Sequence, residues 1–510
     1  MTQERRRLLV AAAMTAALGL TACTSPATGN WAEDTQSAGP PQAGTGVSWR
    51  DCQAEMEKLV GTKLSGARAQ CGQLTVPQDW AKKDGRTFTI ALVRVRPANP
   101  GRRIGSLLVN PGGPGASGIE LAAVSPLLLP TEVRRSFDVI GFDPRGVGLS
   151  TQVACISDAD KDALTAAAYD PVSQGEFDQQ VALARKIGAG CRQKYGDALG
   201  LFSTEQTARD MEAIRAAVGD PKLTYLGYSY GTLLGAVYAQ LFPTKVRALV
   251  LDGAVDPRQD DVTASEGQAA GFEKAFDNFA ADCRRRGSAC PIGPDARATV
   301  RQLLRLPPVP GRGGEERAAT SGHTMLAVIE ALYVQTLWPK LATALGNLRR
   351  GDPTGVFALA DQYNNRDPNG RYGNLMDANN AVNCADEEKP PTLTKIRELQ
   401  STWRAKYPLF GVPLAMSLLS CAVWPVKHDP YPTGAAVGAP PIVVVGTTGD
   451  PATPYENTAK LARMLGTGVI VTWQGEGHTA YPQTSCVRKA IDSYLVDLKP
   501  PADGTTCPLR

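Results

Sequence analysis

The sequence has 510 residues, of which 43% are hydrophobic, so the chain can bury a large core in about two to four domain-sized units. The formal net charge is only +4, and no run of like charges follows the N-terminal segment. This charge pattern excludes a protein built to bind nucleic acid.

The N-terminus has the pattern of an export signal. Arg5, Arg6 and Arg7 precede an apolar run over 8–20 that is too short to span a bilayer comfortably. The run ends in Leu-Thr-Ala-Cys, which is typical of a bacterial lipoprotein signal. We predict a signal peptide over 1–23 with lipidation at Cys23; the alternative is an ordinary signal peptide cleaved nearby. Either way the protein is exported, lipid-anchored or secreted, and the Ser/Pro/Gly-rich residues 24–47 form a flexible tether.

Beyond the tether, short apolar strands alternate with helical patterns. The predicted strands are 88–96, 105–110, 137–143, 223–229 and 246–253, and the clearest helix is 207–219. This alternation predicts a mostly parallel α/β sheet. The pattern becomes mainly helical at 257–439, and strands return at 440–450 and 467–478. We interpret the chain as an α/β core of 48–256 and 440–510, interrupted by a helical lid over 257–439.

The cysteines agree with export. Eleven are present, and ten remain once Cys23 is set aside. An even number in an exported chain predicts disulfides. Pairing of nearest neighbours gives Cys52–Cys71, Cys155–Cys191, Cys283–Cys290, Cys384–Cys421 and Cys486–Cys507, although the sequence leaves other pairings open. A zinc site is disfavoured, because no C-x2-C pair occurs and only three histidines are present.

A candidate nucleophile lies in the stretch YLGYSYGT at 225–232. Ser229 stands between two glycines, after an apolar strand and before the helical pattern GTLLGAVYAQLFP. A lone G-x-S-x-G is a weak signal, but strand, sharp turn and helix form the setting of a nucleophile elbow. A serine hydroxyl also needs a base to take its proton.

The order of residues along the chain selects the base and the acid. His478 follows a predicted strand near the C-terminus, where the α/β-hydrolase order Ser, Asp, His places the histidine. Asp450 ends the strand IVVVGTTGD and is our candidate for the acid that orients His478. Asp252 is the rival acid, and a helix cap is the alternative role for Asp450. Thr453 is placed to support Asp450 by a hydrogen bond.

The oxyanion of the reaction needs two fixed N–H donors. One is Tyr230, the residue after the nucleophile. The other is expected in the glycine-rich turn LLVNPGGPGASG at 107–118, where we choose Gly113, with Gly112 second. The turn has no G-K-[ST] or G-x-G-x-x-G pattern, so it is not a phosphate site, and we expect no cofactor.

Several motifs stand together in one order along the chain. They are NPGGPGASG, FDPRGVGLS, YLGYSYGT, LDGAVDP, GDPATPY and GEGHT. In this the sequence resembles the secreted tripeptidyl aminopeptidases of actinobacteria, α/β-hydrolase serine peptidases related to proline iminopeptidases, including the branch of mycobacterial cell-envelope serine proteases. The resemblance extends from residue 47 to the C-terminus.

The resemblance implies Ser229 as nucleophile, Asp450 as acid and His478 as base. It also implies a lid that admits peptides or proteins with a free N-terminus. In the related proline iminopeptidases, acidic residues bind the substrate amine, and the stretch NCADEE at 383–388 offers Asp386, Glu387 and Glu388 for this purpose. The alternative is a solvated acidic loop.

Three functions compete at this stage. The first is an exported serine exopeptidase of the tripeptidyl type. The second is an exported carboxylesterase or lipid-acyl hydrolase with the same triad, since the core does not distinguish an ester from an amide. The third is a non-catalytic binding protein, which is disfavoured because all three triad candidates are present.

Overall fold

The computed structural model describes residues 46–99, 101 and 103–509. The predicted signal peptide, Cys23 and nearly all of the tether therefore lie outside the described residues. Within those residues, no helix has both the length and the apolar composition needed to cross a membrane.

One ten-stranded sheet forms the centre of the molecule. Two further strands, β8 and β9, form a separate pair. The strands of the described residues are β1 Arg50–Asp51, β2 Ala67–Pro77, β3 Thr87–Pro97, β4 Gly105–Asn110, β5 Phe137–Phe142, β6 Leu223–Tyr228, β7 Val246–Asp252, β8 Val309–Pro310, β9 Ala318–Ala319, β10 Ile442–Gly449, β11 Gly468–Glu476 and β12 Thr505–Cys507.

The α-helices of the described residues are α1 Gln53–Leu59, α2 Gly118–Leu128, α3 Thr131–Ser136, α4 Asp158–Thr165, α5 Gln174–Tyr195, α6 Thr204–Ala217, α7 Tyr230–Leu241, α8 Asp261–Arg286, α9 Ala296–Leu303, α10 Ser321–Leu332, α11 Trp338–Arg349, α12 Thr354–Tyr363, α13 Leu375–Asp386, α14 Leu393–Lys406, α15 Gly411–Ser417, α16 Leu419–Ala422, α17 Glu456–Leu465 and α18 Ser485–Asp497.

The sheet order is β1-β2-β3-β5-β4-β6-β7-β10-β11-β12. From β5 onward the neighbouring strands are parallel, whereas β1, β2 and β3 pair antiparallel with each other and β3 pairs antiparallel with β5. This confirms the predicted mostly parallel α/β sheet. Because β6 and β7 are neighbours and β10 and β11 follow next to them, the ends of these strands bring distant parts of the chain to one edge.

Both faces of the central strands are buried, as expected for parallel strands covered by helices. In β4, Leu107 and Val109 belong to the apolar cluster that includes α2 and α18, while Leu108 belongs to the cluster on the opposite face, which includes α6 and α7. The apolar runs in the sequence therefore correspond to strands with two buried faces.

The helices between β7 and β10 have their own apolar core. Phe276 of α8, Val328 of α10, Leu345 of α11 and Phe410, just before α15, belong to it. This core also includes side chains from α5, among them Phe177. The helical layer thus draws on a segment that the sequence interpretation assigned to the first part of the core. We call residues 257–439 the insertion.

All five disulfides expected from nearest-neighbour pairing are present in the structure. Cys384–Cys421 joins α13 to α16 inside the insertion, and Cys486–Cys507 joins α18 to β12. Closing such loops stabilises the fold by reducing the freedom of the unfolded chain, by about 2–4 kcal/mol per bond.

Candidate active site

Ser229 occupies a strained turn between β6 and α7. Its backbone has φ 54° and ψ −123°, a conformation that costs a non-glycine residue about 1–3 kcal/mol. Neighbouring groups hold the turn: the Ser229 N–H donates to the Asp252 carbonyl at 2.8 Å, and the Thr232 hydroxyl donates to the Ser229 carbonyl at 2.7 Å. The turn places Ser229 on the wall of a cavity.

His478 and Asp450 form a close pair. His478 Nδ1 lies 2.9 Å from both carboxylate oxygens of Asp450. The carboxylate also accepts the N–H groups of Ala452 and Thr453, each at 2.9 Å, and the Thr453 hydroxyl at 3.0 Å. Burial works to lower the pKa of His478, but the charge of Asp450 and the hydrogen bond to it outweigh burial, so the pKa is raised. The pair therefore favours an imidazolium at His478.

Asp252, the rival acid, has different partners. Its carboxylate accepts the N–H of Ala480 at 3.0 Å and that of Tyr481 at 2.7 Å. Burial raises the pKa of Asp252 to about 7, although these two hydrogen bonds oppose the shift. Asp252 thus braces the backbone after His478, while Asp450 contacts the imidazole itself.

The glycine-rich turn lies against the serine elbow. Gly112 and Gly113 have φ 97° and 106°, which favours glycine. A Cβ on Gly112 would lie 2.5 Å from the Tyr228 carbonyl oxygen and 2.9 Å from the Ser229 Cβ. The Gly112 N–H donates to Asn110 Oδ1 at 2.9 Å. Gly113 lines the cavity that also contains Ser229.

Asp143 and Arg145 hold the loops around this turn. Asp143 accepts the Ser117 hydroxyl at 2.5 Å and the Leu149 N–H at 2.8 Å, and burial raises its pKa despite these bonds. Arg145, fully buried, donates to both carboxylate oxygens of Asp210 at 2.7 and 2.8 Å. Neither Asp143 nor Arg145 lines the cavity.

The cavity lies between the sheet edge and the insertion and has a volume of about 320 Å³. Among the described residues, no Asp, Glu, Lys or Arg side chain lines it, and His478 is the one lining side chain that can carry a positive charge. The lining residues on the core side are Pro111, Gly113, Ala116, Leu121, Leu128, Tyr228, Ser229, His478 and Thr479. Those on the insertion side are Tyr333, Val334, Tyr363, Asn364, Leu375, Met376, Asn379 and Asn380.

Sequence reasoning missed every residue of the insertion side. These residues stand at the ends of α10 and α12 and at the start of α13, and they match no motif. The one available signal was compositional: Asn379 and Asn380 are adjacent amides in a predicted helical segment, and amides are more common at helix ends than inside helices.

The structure does not place Asp386 and Glu387 in this cavity, contrary to the expectation that they bind a substrate amine. Asp386 accepts the Thr204 N–H at 2.8 Å and the Thr204 hydroxyl at 2.6 Å. Glu387 accepts the Asp261 N–H at 2.9 Å. Burial raises the pKa of Asp386 to about 8. The Asp386 carboxyl group thus joins the insertion to the start of α6, and that of Glu387 joins the end of α13 to the start of α8 within the insertion. Glu388 is exposed to solvent.

Comparison with known proteins agrees with this geometry. The family model described as "TAP-like protein" matches residues 407–507. The chain is 39% identical over 493 residues to "Serine protease Hip1" of Mycobacterium tuberculosis, covering 92% of each protein. It is 32% identical over 491 residues to "Tripeptidyl aminopeptidase" of Streptomyces lividans, covering 91% of this chain and 87% of that protein. The chain belongs to the tripeptidyl aminopeptidase family of α/β hydrolases.

A further relative widens the family's chemistry. "Carboxylesterase B" of Mycobacterium tuberculosis is 38% identical over 488 residues, covering 92% of each protein. Members of the tripeptidyl aminopeptidase family are thus named for peptide and for ester hydrolysis. Membership makes this chain a serine hydrolase, and the peptidase relatives favour peptide bonds as its substrate.

The disulfides of this family member also bear on its location. Five disulfides in one chain require an oxidising compartment, since the cytosol keeps thiols reduced. The protein is therefore exported.

Proposed function

We propose that the protein is an exported serine exopeptidase that removes short peptides, of the tripeptidyl type, from free N-termini. Ser229 is the nucleophile, His478 the base and Asp450 the acid. The observation that carries this proposal is the contact of His478 Nδ1 with both Asp450 oxygens at 2.9 Å, on the wall of a cavity that also contains Ser229. An imidazole held through Nδ1 has Nε2 free for the serine proton.

The reaction proceeds through an acyl-enzyme. Ser229 Oγ attacks the substrate carbonyl carbon while His478 Nε2 takes the hydroxyl proton, and Asp450 stabilises the imidazolium. The carbonyl oxygen becomes an oxyanion that accepts the N–H groups of Tyr230 and Gly113. His478 then gives its proton to the leaving amine, and water hydrolyses the ester on Ser229 by the same steps.

The cavity supports a short acyl fragment as the part of the substrate that is held. Its volume of about 320 Å³ lies at the small end of ligand sites. The uncharged lining favours apolar or neutral side chains beside the cleaved bond, because a buried charge without a partner is costly. We leave the group that binds the substrate α-amine unassigned, since Asp386 and Glu387 have other partners.

Carboxylester hydrolysis is the second candidate. The same triad cleaves esters, and both the uncharged cavity and the 38% identical carboxylesterase suit a neutral acyl group. The turn Asn110–Gly118 carries a proline in place of the HGGG-type sequence of many esterases, which favours the peptidase.

We further propose that Cys23 carries a lipid anchor and that residues 24–47 tether the enzyme to the membrane. The arginines, the apolar run and the L-x-x-C sequence support this. Mass spectrometry of the N-terminal peptide from the native membrane fraction tests it; an unmodified N-terminus other than Cys23 would contradict the anchor.

One experiment tests the activity. The protein lacking residues 1–23 is assayed with a free-amine tripeptide amide, its N-acetylated twin and a short acyl ester, with Ser229→Ala as the control. We expect turnover of the free-amine peptide to exceed that of its acetylated twin by about 100-fold or more, and Ser229→Ala to abolish both. Equal turnover of the two peptides would contradict exopeptidase action, and turnover of the ester alone would favour the carboxylesterase.

A further inference from the structure

The loop that carries His478 bends on both sides of the histidine. Gly477 has φ 105° and Thr479 has φ 66°, so both neighbours are in the left-handed region. Glycine adopts this backbone freely, but Thr479 keeps it only where its surroundings hold it. The core provides part of this support, because the carboxylates of Asp450 and Asp252 accept the N–H groups that follow the histidine.

The N–H of His478 itself is held by the insertion. It donates to the carbonyl of Tyr333 at 2.8 Å. The ring of Tyr333 also meets the imidazole at an interplanar angle of 84°, with centroids 5.3 Å apart. Gly477 is matched to this contact, because a Cβ there would lie 2.8 Å from the Tyr333 carbonyl oxygen, too close for a side chain.

Tyr333 is in turn fixed by three helices of the insertion. It directly follows α10, and its N–H donates to the Glu330 carbonyl at 3.3 Å. Its ring packs edge-on against Phe272 of α8, with centroids 5.8 Å apart, and lies 6.3 Å from the ring of Tyr363 at the end of α12. Burial raises the pKa of the Tyr333 phenol well above its usual value, so the ring stays neutral.

We infer that Tyr333 is a positioning residue for His478, and that the insertion thereby completes the catalytic centre as well as covering it. The backbone carbonyl of Tyr333 fixes the histidine loop, and its ring limits rotation of the imidazole. A substrate too small to touch the rest of the insertion still depends on this contact. The inference rests on the proposed roles of Ser229 and His478.

The test compares Tyr333→Leu, Tyr333→Phe and the wild type on a small acyl ester and a free-amine tripeptide. We expect Tyr333→Leu to lower kcat about 10- to 100-fold on both substrates alike, since the imidazole loses its ring contact. Tyr333→Phe keeps the ring and the carbonyl, so kcat should stay within about 3-fold. Burial lowers the histidine pKa, so water entry in Tyr333→Leu should move the acid limb of kcat/KM to higher pH for both substrates.

Tyr407→Leu is the matched control. Tyr407 is a tyrosine of the insertion whose hydroxyl donates to Glu266 at 3.3 Å, and it does not line the cavity. We expect its kcat and pH profile to match the wild type. If Tyr333→Leu keeps the wild-type kcat and acid limb on the ester and raises only the peptide KM, Tyr333 is a substrate contact and the inference is wrong.

A second variant decides the matter if Tyr333→Leu does not fold. In Gly477→Ala the new Cβ would press against the Tyr333 carbonyl oxygen from the core side. Gly438→Ala is the matched control, because Gly438 has a similar φ of 90° but no atom within 4 Å of the added Cβ. We expect only Gly477→Ala to lower ester kcat, by 10-fold or more; equal kcat values for the two would overturn the inference. If Ser229→Ala retains turnover, the proposed function itself fails. If Ser229→Ala loses turnover while Gly477→Ala stays fully active, only the role of Tyr333 is refuted.

Discussion

The core wall and the insertion wall of the cavity are built differently. The core wall consists of strand ends, tight turns and two leucines of α2. In its turns Ser229 and Gly113 have positive φ, and carboxylates accept backbone N–H groups. The insertion wall consists of side chains on helices and at helix ends, such as Tyr363 and Met376, and among the described residues it has no carboxylate, lysine, arginine or histidine. The difference indicates a division of labour: the core wall fixes reacting atoms, and the insertion wall shapes the space for the substrate. Tyr333 is where the two meet.

Separate asparagine substitutions at Asp450 and Asp252 should give the largest difference in kcat. Asp450→Asn removes the carboxylate that holds His478 Nδ1, and we expect kcat to fall about 10³- to 10⁴-fold, because the imidazole loses its orientation and its counter-charge. Asp252→Asn keeps an oxygen for the N–H groups of Ala480 and Tyr481, so its kcat should fall less than about 10-fold. Steady-state kinetics on the free-amine tripeptide measures both, with circular dichroism to show folding. The reverse order of losses would identify Asp252 as the acid.

Gly112→Ala should cause the next largest loss of kcat, because it distorts a turn of the core wall. Its Cβ would collide with the Tyr228 carbonyl oxygen beside Ser229, and displacement of the turn moves Gly113. We expect kcat to fall about 10²- to 10³-fold, the range seen when an oxyanion donor is lost. Gly66→Ala, at φ 78° with no atom within 4 Å, has the backbone strain without the collision. Equal kcat in the two variants would show that the turn does not bear on the chemistry.

Met376→Ala should separate binding from chemistry on the insertion wall. Removing this side chain enlarges the cavity and should raise the peptide KM about 10-fold, a loss typical of apolar contacts. The kcat for a small acyl ester should change less than about 3-fold, because no reacting group is touched. Met325→Ala, in the same insertion but buried away from the cavity, is the control for packing. A large fall in ester kcat in Met376→Ala would show that the insertion wall also affects the reacting groups, contrary to the proposed division between the two walls.

Substitution of Glu330 should have the smallest effect, which is on the pH dependence of stability. This side chain of α10 is fully buried, and neither carboxyl oxygen has a hydrogen-bond partner among the described residues. Burial raises its pKa to about 8. The unfolded chain ionises near the usual pKa, so stability is fully present below about pH 4.5 and is lost as the pH rises through 8.

Glu330→Gln cannot ionise and should escape that loss. Its melting temperature relative to the wild type should rise between pH 5 and pH 8.5, by about 1 °C for each kcal/mol of stability recovered in a chain of this length. Thermal unfolding at a series of pH values measures the difference, and Glu388→Gln, at an exposed site, should show no trend. A melting-temperature difference that stays constant across the pH series would mean that ionisation of Glu330 does not affect the stability of the fold.

Local patterns in the sequence predicted the core wall well. Fully buried strands such as β6 and β10 appear as apolar runs, and the elbow requires the strand-turn-helix order around Ser229. The nearest-neighbour cysteine pairs also form, because each closes a short or moderate loop. Strand β2 escaped prediction, since polar residues and Gly72 interrupt its apolar residues, and Gly72 itself packs beneath Val47.

The sequence by itself determined the α/β core, the candidate triad and the export pattern, because each depends on residues close together in the chain or on their order. Tertiary structure alone decided that no carboxylate of the described residues lines the cavity. Asp386 lies six residues after Asn380, which lines the cavity, on the same helix, yet the orientation of α13 points Asp386 to Thr204 instead of the substrate space. The contact between Tyr333 and His478 likewise depends on how the insertion packs onto the sheet edge, a long-range arrangement that no local spacing encodes.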